Sequence, residues 1–225
     1  MGNRFKKLLL VGGVAILLPW GVYGKEHSTK KGSSTSTQQE SQLDKEVMEA
    51  YYRSYNYEKM GDYRDAIRAL LPIYHKFPRS YTLNLRLGWL TYLNRKYGNS
   101  IQFYRKALLA MPSSLEPRLG LMRVYLALGN IDEALAQGLV ILKRDYYNYY
   151  GNLYYVTGLE RKGLYKNEID LCYKMLALYP TSVPFLTHLG IALFKIGKRE
   201  KAKKVFKGVL ILDPNNIIAR EYLNK

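Results

Sequence analysis

A single thiol, three imidazoles and a heavy load of phenol rings are the groups in these 225 residues whose chemistry needs an account. Cys172 has no second cysteine to oxidise with, so an internal disulfide is excluded. It is either a small buried hydrophobe or a thiol free for redox chemistry or for linking two copies of the chain. His27, His75 and His188 are scattered, and none stands at metal-ligand spacing from a cysteine or carboxylate. No metal and no cofactor are therefore expected. The sequence offers no glycine loop to cradle phosphate, no nucleophile beside a base and no paired acids, so an enzyme is not expected either. Tyrosine supplies 22 residues, and Lys plus Arg supply 35 against 18 Asp plus Glu. Rings and cations bind more readily than they react.

A repeat must position these groups. Pro78, Pro112, Pro180 and Pro214 are spaced by multiples of 34 residues, with Tyr146 in the vacant place. Gly61, Gly129, Gly163 and Gly197 keep the same period, with Arg95 as the gap. Five residues after each of these come Ala66, Ser100, Ala134 and Ala202, with Glu168 out of line. The spacing predicts an all-α array of helix-turn-helix units at 47–80, 81–114, 115–148, 149–182 and 183–216. Within the first unit it predicts helices over 47–60 and 63–76. Glycine allows the left-handed backbone that ends a helix, and proline punctuates the link to the next unit. The small residue belongs where the two helices of a hairpin cross. One hairpin cannot bury both faces, so neighbours must stack into a solenoid.

These markers resemble the tetratricopeptide repeat, most clearly in Leu87-Gly88 with Ala107 and Pro112, and in Leu189-Gly190, Gly197, Ala202, Phe206 and Pro214. The first unit has Arg53-Ser54 in place of leucine-glycine, and the fourth is the weakest, with Tyr155-Val156 and Glu168. The resemblance implies a right-handed superhelix whose first helices line a concave groove. Carried onto this chain, the family's contact positions fall on Tyr51 and Tyr55, then Trp89, Tyr92 and Leu93, then Arg123 and Leu126. In the last two units they fall on Tyr150, Leu153, Glu160 and Arg161, then Thr187, Ile191, Phe194 and Lys195. The clamp for a partner's C-terminal carboxylate is absent, because Tyr51, Tyr55, Glu116 and Gly120 stand where its Lys, Asn and Arg would be. A protein or peptide segment held by rings and scattered cations is the partner this implies, and pairing of two copies stays open. Tyr125 and Tyr155 are expected to fill gaps between helices. The cluster from Tyr146 to Tyr150 is either a contact surface or the repair of an irregular turn.

The termini suggest where the array works. Arg4, Lys6 and Lys7 precede an apolar run from Leu8 to Tyr23, which is 16 residues long and interrupted by Gly12, Gly13 and Pro19. That pattern reads as a signal peptide over 1–24, cleaved after Gly24, with an uncleaved anchor as the alternative. Export to a periplasm or the exterior is the expectation. Residues 25–46 read as a disordered polar linker, with Ser41 and Asp44 capping the first helix, and 217–225 as a capping helix.

Of the net charge of +17, the three cations before the apolar run account for three, leaving +14 on the rest. It is densest at Lys195, Lys198, Arg199, Lys201, Lys203, Lys204 and Lys207. This patch is either a solvated helix face or an attractor for anionic partners, within a reach of about 8 Å at physiological salt. Export argues against nucleic acid, and leaves an acidic glycan, an anionic membrane surface or an acidic protein. The function expected is a non-catalytic adaptor, with a scaffold for an anionic polysaccharide as the alternative.

Overall fold

The computed structural model describes residues 33–225, so the expected signal peptide and residues 25–32 of the expected linker lie outside it. Eleven helices follow one another: α1 Ser33–Lys59, α2 Tyr63–Lys76, α3 Tyr81–Leu93, α4 Tyr97–Ala110, α5 Glu116–Leu128, α6 Ile131–Arg144, α7 Tyr149–Arg161, α8 Tyr165–Leu176, α9 Val183–Lys195, α10 Arg199–Leu212 and α11 Ile217–Leu223. They pack as five hairpins and a terminal helix. Within the array α3 also meets α5, α5 meets α7, α7 meets α9 and α9 meets α11. The second helices of successive hairpins do not approach one another in this way. The first helices therefore form the inner, concave side and the second helices the outer one. No described helix is long and apolar enough to cross a membrane.

The hairpins close as the spacing requires. Gly61, Gly129, Gly163 and Gly197 have φ of 77°, 78°, 70° and 80°. Arg95, where the glycine is missing, is forced to φ 56° and takes the left-handed conformation at a cost of about 1 kcal/mol. Ala66, Ser100, Ala134 and Ala202 are fully buried at the crossings, and the Ser100 hydroxyl donates to the Gly88 carbonyl at 2.7 Å. Tyr104 lies over two glycines at once: a Cβ on Gly88 would come within 2.7 Å of its ring, and one on Gly120 within 2.3 Å. That ring thus joins the second hairpin to the third. Phe206 fills the same place over Gly190.

Two expectations about the ends are revised. Residues 33–46 are helical rather than disordered, because α1 starts at Ser33 and runs straight into the first repeat. Leu43, Val47, Ala50 and Ser54 recur at three- and four-residue steps, which places them on one stripe. Glu46 on α1 pairs with Lys76 of α2 at 2.5 Å. The Gln, Glu and Lys between them are good helix formers, so polar composition here marks a solvated helix face. Ser41 accordingly lies inside the helix and caps nothing at its N-terminus. At the other end α11 packs on the fifth hairpin, with Tyr222 stacked on Phe206 and edge-on to Phe194.

The turn without proline keeps the side-chain bonds of a turn that has one. The Asn152 amide donates to the carbonyls of Tyr146 and Asn148 at 3.0 and 2.8 Å. Asn84 holds the carbonyls of Pro78 and Ser80 in the same way at 2.9 and 2.8 Å. Lys174 covers the Tyr146 ring at 4.0 Å, and Tyr149 packs edge-on against Tyr179 and Phe185. Tyr146 and Tyr149 thus pack into the turn and the next hairpin.

Two substitutions test the packing and the backbone. Gly120→Ala should lower the thermal midpoint, costing about 1–3 kcal/mol by driving a methyl into the Tyr104 ring. Arg95→Gly should raise it slightly by relieving the left-handed residue, a gain of up to about 0.5 kcal/mol once the added freedom of the unfolded chain is subtracted. Thermal unfolding followed by circular dichroism reads both, and shifts of opposite sign would refute the account.

Candidate functional site

The inner face carries a continuous path of rings and charges. It begins at Tyr55, whose ring lies 3.8 Å from the Arg86 guanidinium carbon. Arg86 is nearly buried, forms an ion pair with Glu58, and donates to the Ser54 hydroxyl at 3.2 Å. Glu58 also accepts the Trp89 indole N–H at 2.6 Å. Trp89 stacks on Tyr92 with centroids 5.7 Å apart. Arg123 sits over Trp89, Tyr92 and Tyr154, at 4.6, 6.0 and 5.8 Å from the ring centroids. Tyr154 in turn leans on Tyr150. Desolvation raises the Tyr154 hydroxyl pKa above the ordinary tyrosine value, partly offset by the Arg123 charge.

The surface places the expected groove residues unequally. Tyr55 and Tyr150 are 39% and 57% exposed, Trp89, Tyr92 and Arg123 are half-buried, and Arg161 and Lys195 are exposed. Tyr51 is half-buried and donates to the Thr82 hydroxyl at 3.2 Å, with burial raising its pKa. Leu126 does not face a groove: it is 7% exposed and belongs to the core, while its carbonyl accepts from Arg161. Thr187 and Ile191 are also buried. Phe194 is half-covered by Tyr222 of α11 and by Arg199, 5.3 Å from its ring. Available rings are thus concentrated in the first four units.

The basic patch lies elsewhere. Lys198, Arg199, Lys201, Lys204 and Lys207 are exposed and Lys203 is half-buried, on or just before α10, one of the outer helices. Its one acidic neighbour in the helix, Glu200, is 3.9 Å from Lys203. Cys172 is fully buried, and burial followed by the nearby carboxylates of Glu168 and Glu160 pushes its thiol far above the ordinary range. Of its two readings, the small buried hydrophobe is the one realised.

One expectation about chemistry is overturned. His188 is not isolated from carboxylates: its Nδ1 is 2.7 Å from Glu160 Oε2 and 3.3 Å from Glu168 Oε1. The three residues come from α9, α7 and α8, and their donor atoms all lie within 4.8 Å of one another. Burial alone would lower the His188 pKa, but the bond to Glu160 and the two carboxylate charges raise it to about 9. Motif spacing within one segment could not reveal a cluster drawn from three helices. A signal did exist, because Glu58 to Arg86 and Glu160 to His188 share one offset of 28 residues. Arg86, Glu58, Tyr154 and His188 were absent from the expected site for the same reason.

Comparison with known proteins agrees with this architecture. Family models described as tetratricopeptide repeat match residues 53–114, 91–145 and 183–216. No curated protein matches the chain. Among solved structures, YrrB, described as a tetratricopeptide-repeat protein with an unusual peptide-binding site, superposes with a TM-score of 0.67 at 13% identity, covering 86% of this chain and 98% of that one. A tetratricopeptide-repeat protein from Parabacteroides merdae gives 0.71 at 19% identity, over 80% of this chain and 71% of that one. MamA from Desulfovibrio magneticus gives 0.68 at 14% identity, over 76% and 97%. At such identities the likeness speaks for the fold alone. The repeat period, the stacked hairpins and the family models together show that the chain belongs to the tetratricopeptide-repeat family.

Proposed function

We propose that this repeat scaffold is an exported adaptor that holds a segment of a partner protein along its inner face and helps assemble an envelope or secretion complex. The observation that carries the reading is the path from Tyr55 through Arg86, Glu58, Trp89 and Arg123 to Tyr150. It offers aromatic surface already fixed by ion pairs and stacking, so a ligand meets rings that lose little freedom on contact. Half-buried Trp, Tyr and Arg are also the types that dominate interface energetics. Peptide binding by the structurally similar YrrB is consistent with this use of the fold. Export rests on the basic and apolar residues of 1–24.

The reading is tested by panning a random peptide display library on the full chain and measuring the selected peptides by calorimetry. Tyr55→Ala with Tyr150→Ala should weaken them by more than tenfold, with helical content unchanged, because both rings are exposed and neither is core. Peptides that bind the variant as well as the parent would refute an inner-face site.

The outer position of α10 gives a second expectation. Replacing Lys201, Lys203 and Lys204 with Gln should slow association of an acidic peptide at low salt and leave affinity within twofold at about 0.3 M salt, where screening removes long-range attraction. A large affinity loss at high salt, read in the same titration, would place the contact on α10 instead.

A further inference from the structure

The fourth repeat breaks the rule of the other four at one buried position. Where Ala66, Ser100, Ala134 and Ala202 let two helices cross, this hairpin carries Glu168, which is 0% exposed. Neither carboxylate oxygen has a hydrogen-bond donor. His188 Nδ1 lies 3.3 Å from its Oε1, but that contact is not aligned as a hydrogen bond because Nδ1 is turned to Glu160. The two cations that follow Glu160 in the chain are engaged elsewhere. Arg161 is committed to the Leu126 carbonyl and Lys162 to Asp132. Burial raises the Glu168 carboxyl pKa, with His188 opposing the rise and the Glu160 charge adding to it. Whether charged or neutral, an acid at a crossing built for alanine leaves buried oxygen atoms without a donor, and a bound cation would supply the missing partner.

We propose that Glu160, Glu168 and His188 form a binding site for one divalent transition-metal ion of the zinc type, joining the fourth hairpin to the fifth. The donors are right in number and kind. One imidazole nitrogen with two carboxylates suits Zn²⁺, whereas Mg²⁺ and Ca²⁺ favour oxygen alone. Two ligands on a tetrahedral ion at about 2.0–2.1 Å lie about 3.3 Å apart. The Nδ1 to Glu168 distance already has that value, and the Nδ1 to Glu160 distance must open by roughly 0.6 Å.

Glu160 and His188 are 31% and 16% exposed, so the ion enters from the inner face and keeps water on its open side. The groups facing the site are Glu160, Glu168 and His188, with the buried Cys172 thiol beyond Glu168 and the Thr157 hydroxyl 3.4 Å from His188 Nε2.

Glu168→Ala restores the residue that three other units carry at this position, so the variant keeps a crossing the fold accepts. The experiment titrates chelator-treated full chain and its Glu168→Ala and His188→Gln variants with ZnCl2 and with MgCl2 by calorimetry, alongside thermal melts. The expected result is a Zn²⁺ site of one ion per chain, at least tenfold weaker in both variants, with no comparable Mg²⁺ binding. Zn²⁺ should raise the melting midpoint of the parent and leave that of Glu168→Ala unmoved. Zn²⁺ binding of equal affinity in parent and variants, or none in the parent, would overturn the site. So would an equal rise in melting midpoint for the parent and Glu168→Ala.

Discussion

Every hairpin in this array must bury its second face on a neighbour, and the seam where that happens is set by one register. The twelfth residue of a unit meets the sixth of the next, 28 positions on, as the Glu58–Arg86 and Glu160–His188 pairs show. Phe194 and Tyr222 repeat the relation with ring centroids 5.1 Å apart, and Leu126 and Tyr154 repeat it inside one apolar patch. At the remaining seam Gly120 leaves a space that Tyr104 enters from the preceding hairpin. The stacking geometry is constant while its chemistry changes from ion pair to ring to aliphatic contact. The superhelix therefore tolerates very different side chains at its inner face, and that tolerance lets the face be specialised.

The two charged seams are not equivalent. Arg86 has its charge met by Glu58, a ring face from Tyr55 and the Ser54 hydroxyl, while Glu58 also receives Trp89. Each partner is shared, so truncating one member would strand a nearly buried charge, a loss of about 3–5 kcal/mol. At the other seam His188 serves two carboxylates and satisfies only Glu160. The first seam is closed and orients rings; the second retains an unmet acceptor. Both lie on the same concave side, the first holding rings in place and the second keeping the buried acceptor of Glu168.

The turns, the crossings and the terminal cap were legible because each depends on one residue type at one place. Left-handed backbone at Gly61, Gly129, Gly163 and Gly197 follows from the absence of a side chain, and even Arg95 adopts it because the repeat leaves no other path. The N-terminal boundary was not legible. A helix whose partner covers only one stripe has the composition of a linker, and the Glu46–Lys76 contact that extends it spans 30 residues. The inner face was legible in kind but not in membership. Of the family positions, Tyr55, Trp89 and Arg123 lie on the inner face, yet Leu126 turned inward because a seam place can be filled by core as readily as by surface. Glu168 was visible as an irregularity, but its meaning required His188, which only the fold brings to it.

Charge and aromatic surface are separated by the same architecture. The cations of α10 lie on an outer helix, while the rings lie on the first helices that face inward. A screening length of about 8 Å is shorter than the thickness of two stacked helices, each about 10 Å across with side chains. Charge on α10 therefore acts on what approaches the outside of the solenoid and contributes little to what lies in its groove. On the inner face Arg86 and Arg123 are held against rings and fix their orientation. A segment bound there as proposed would be recognised by shape and ring contact, and salt would modulate its encounter more than its bound state.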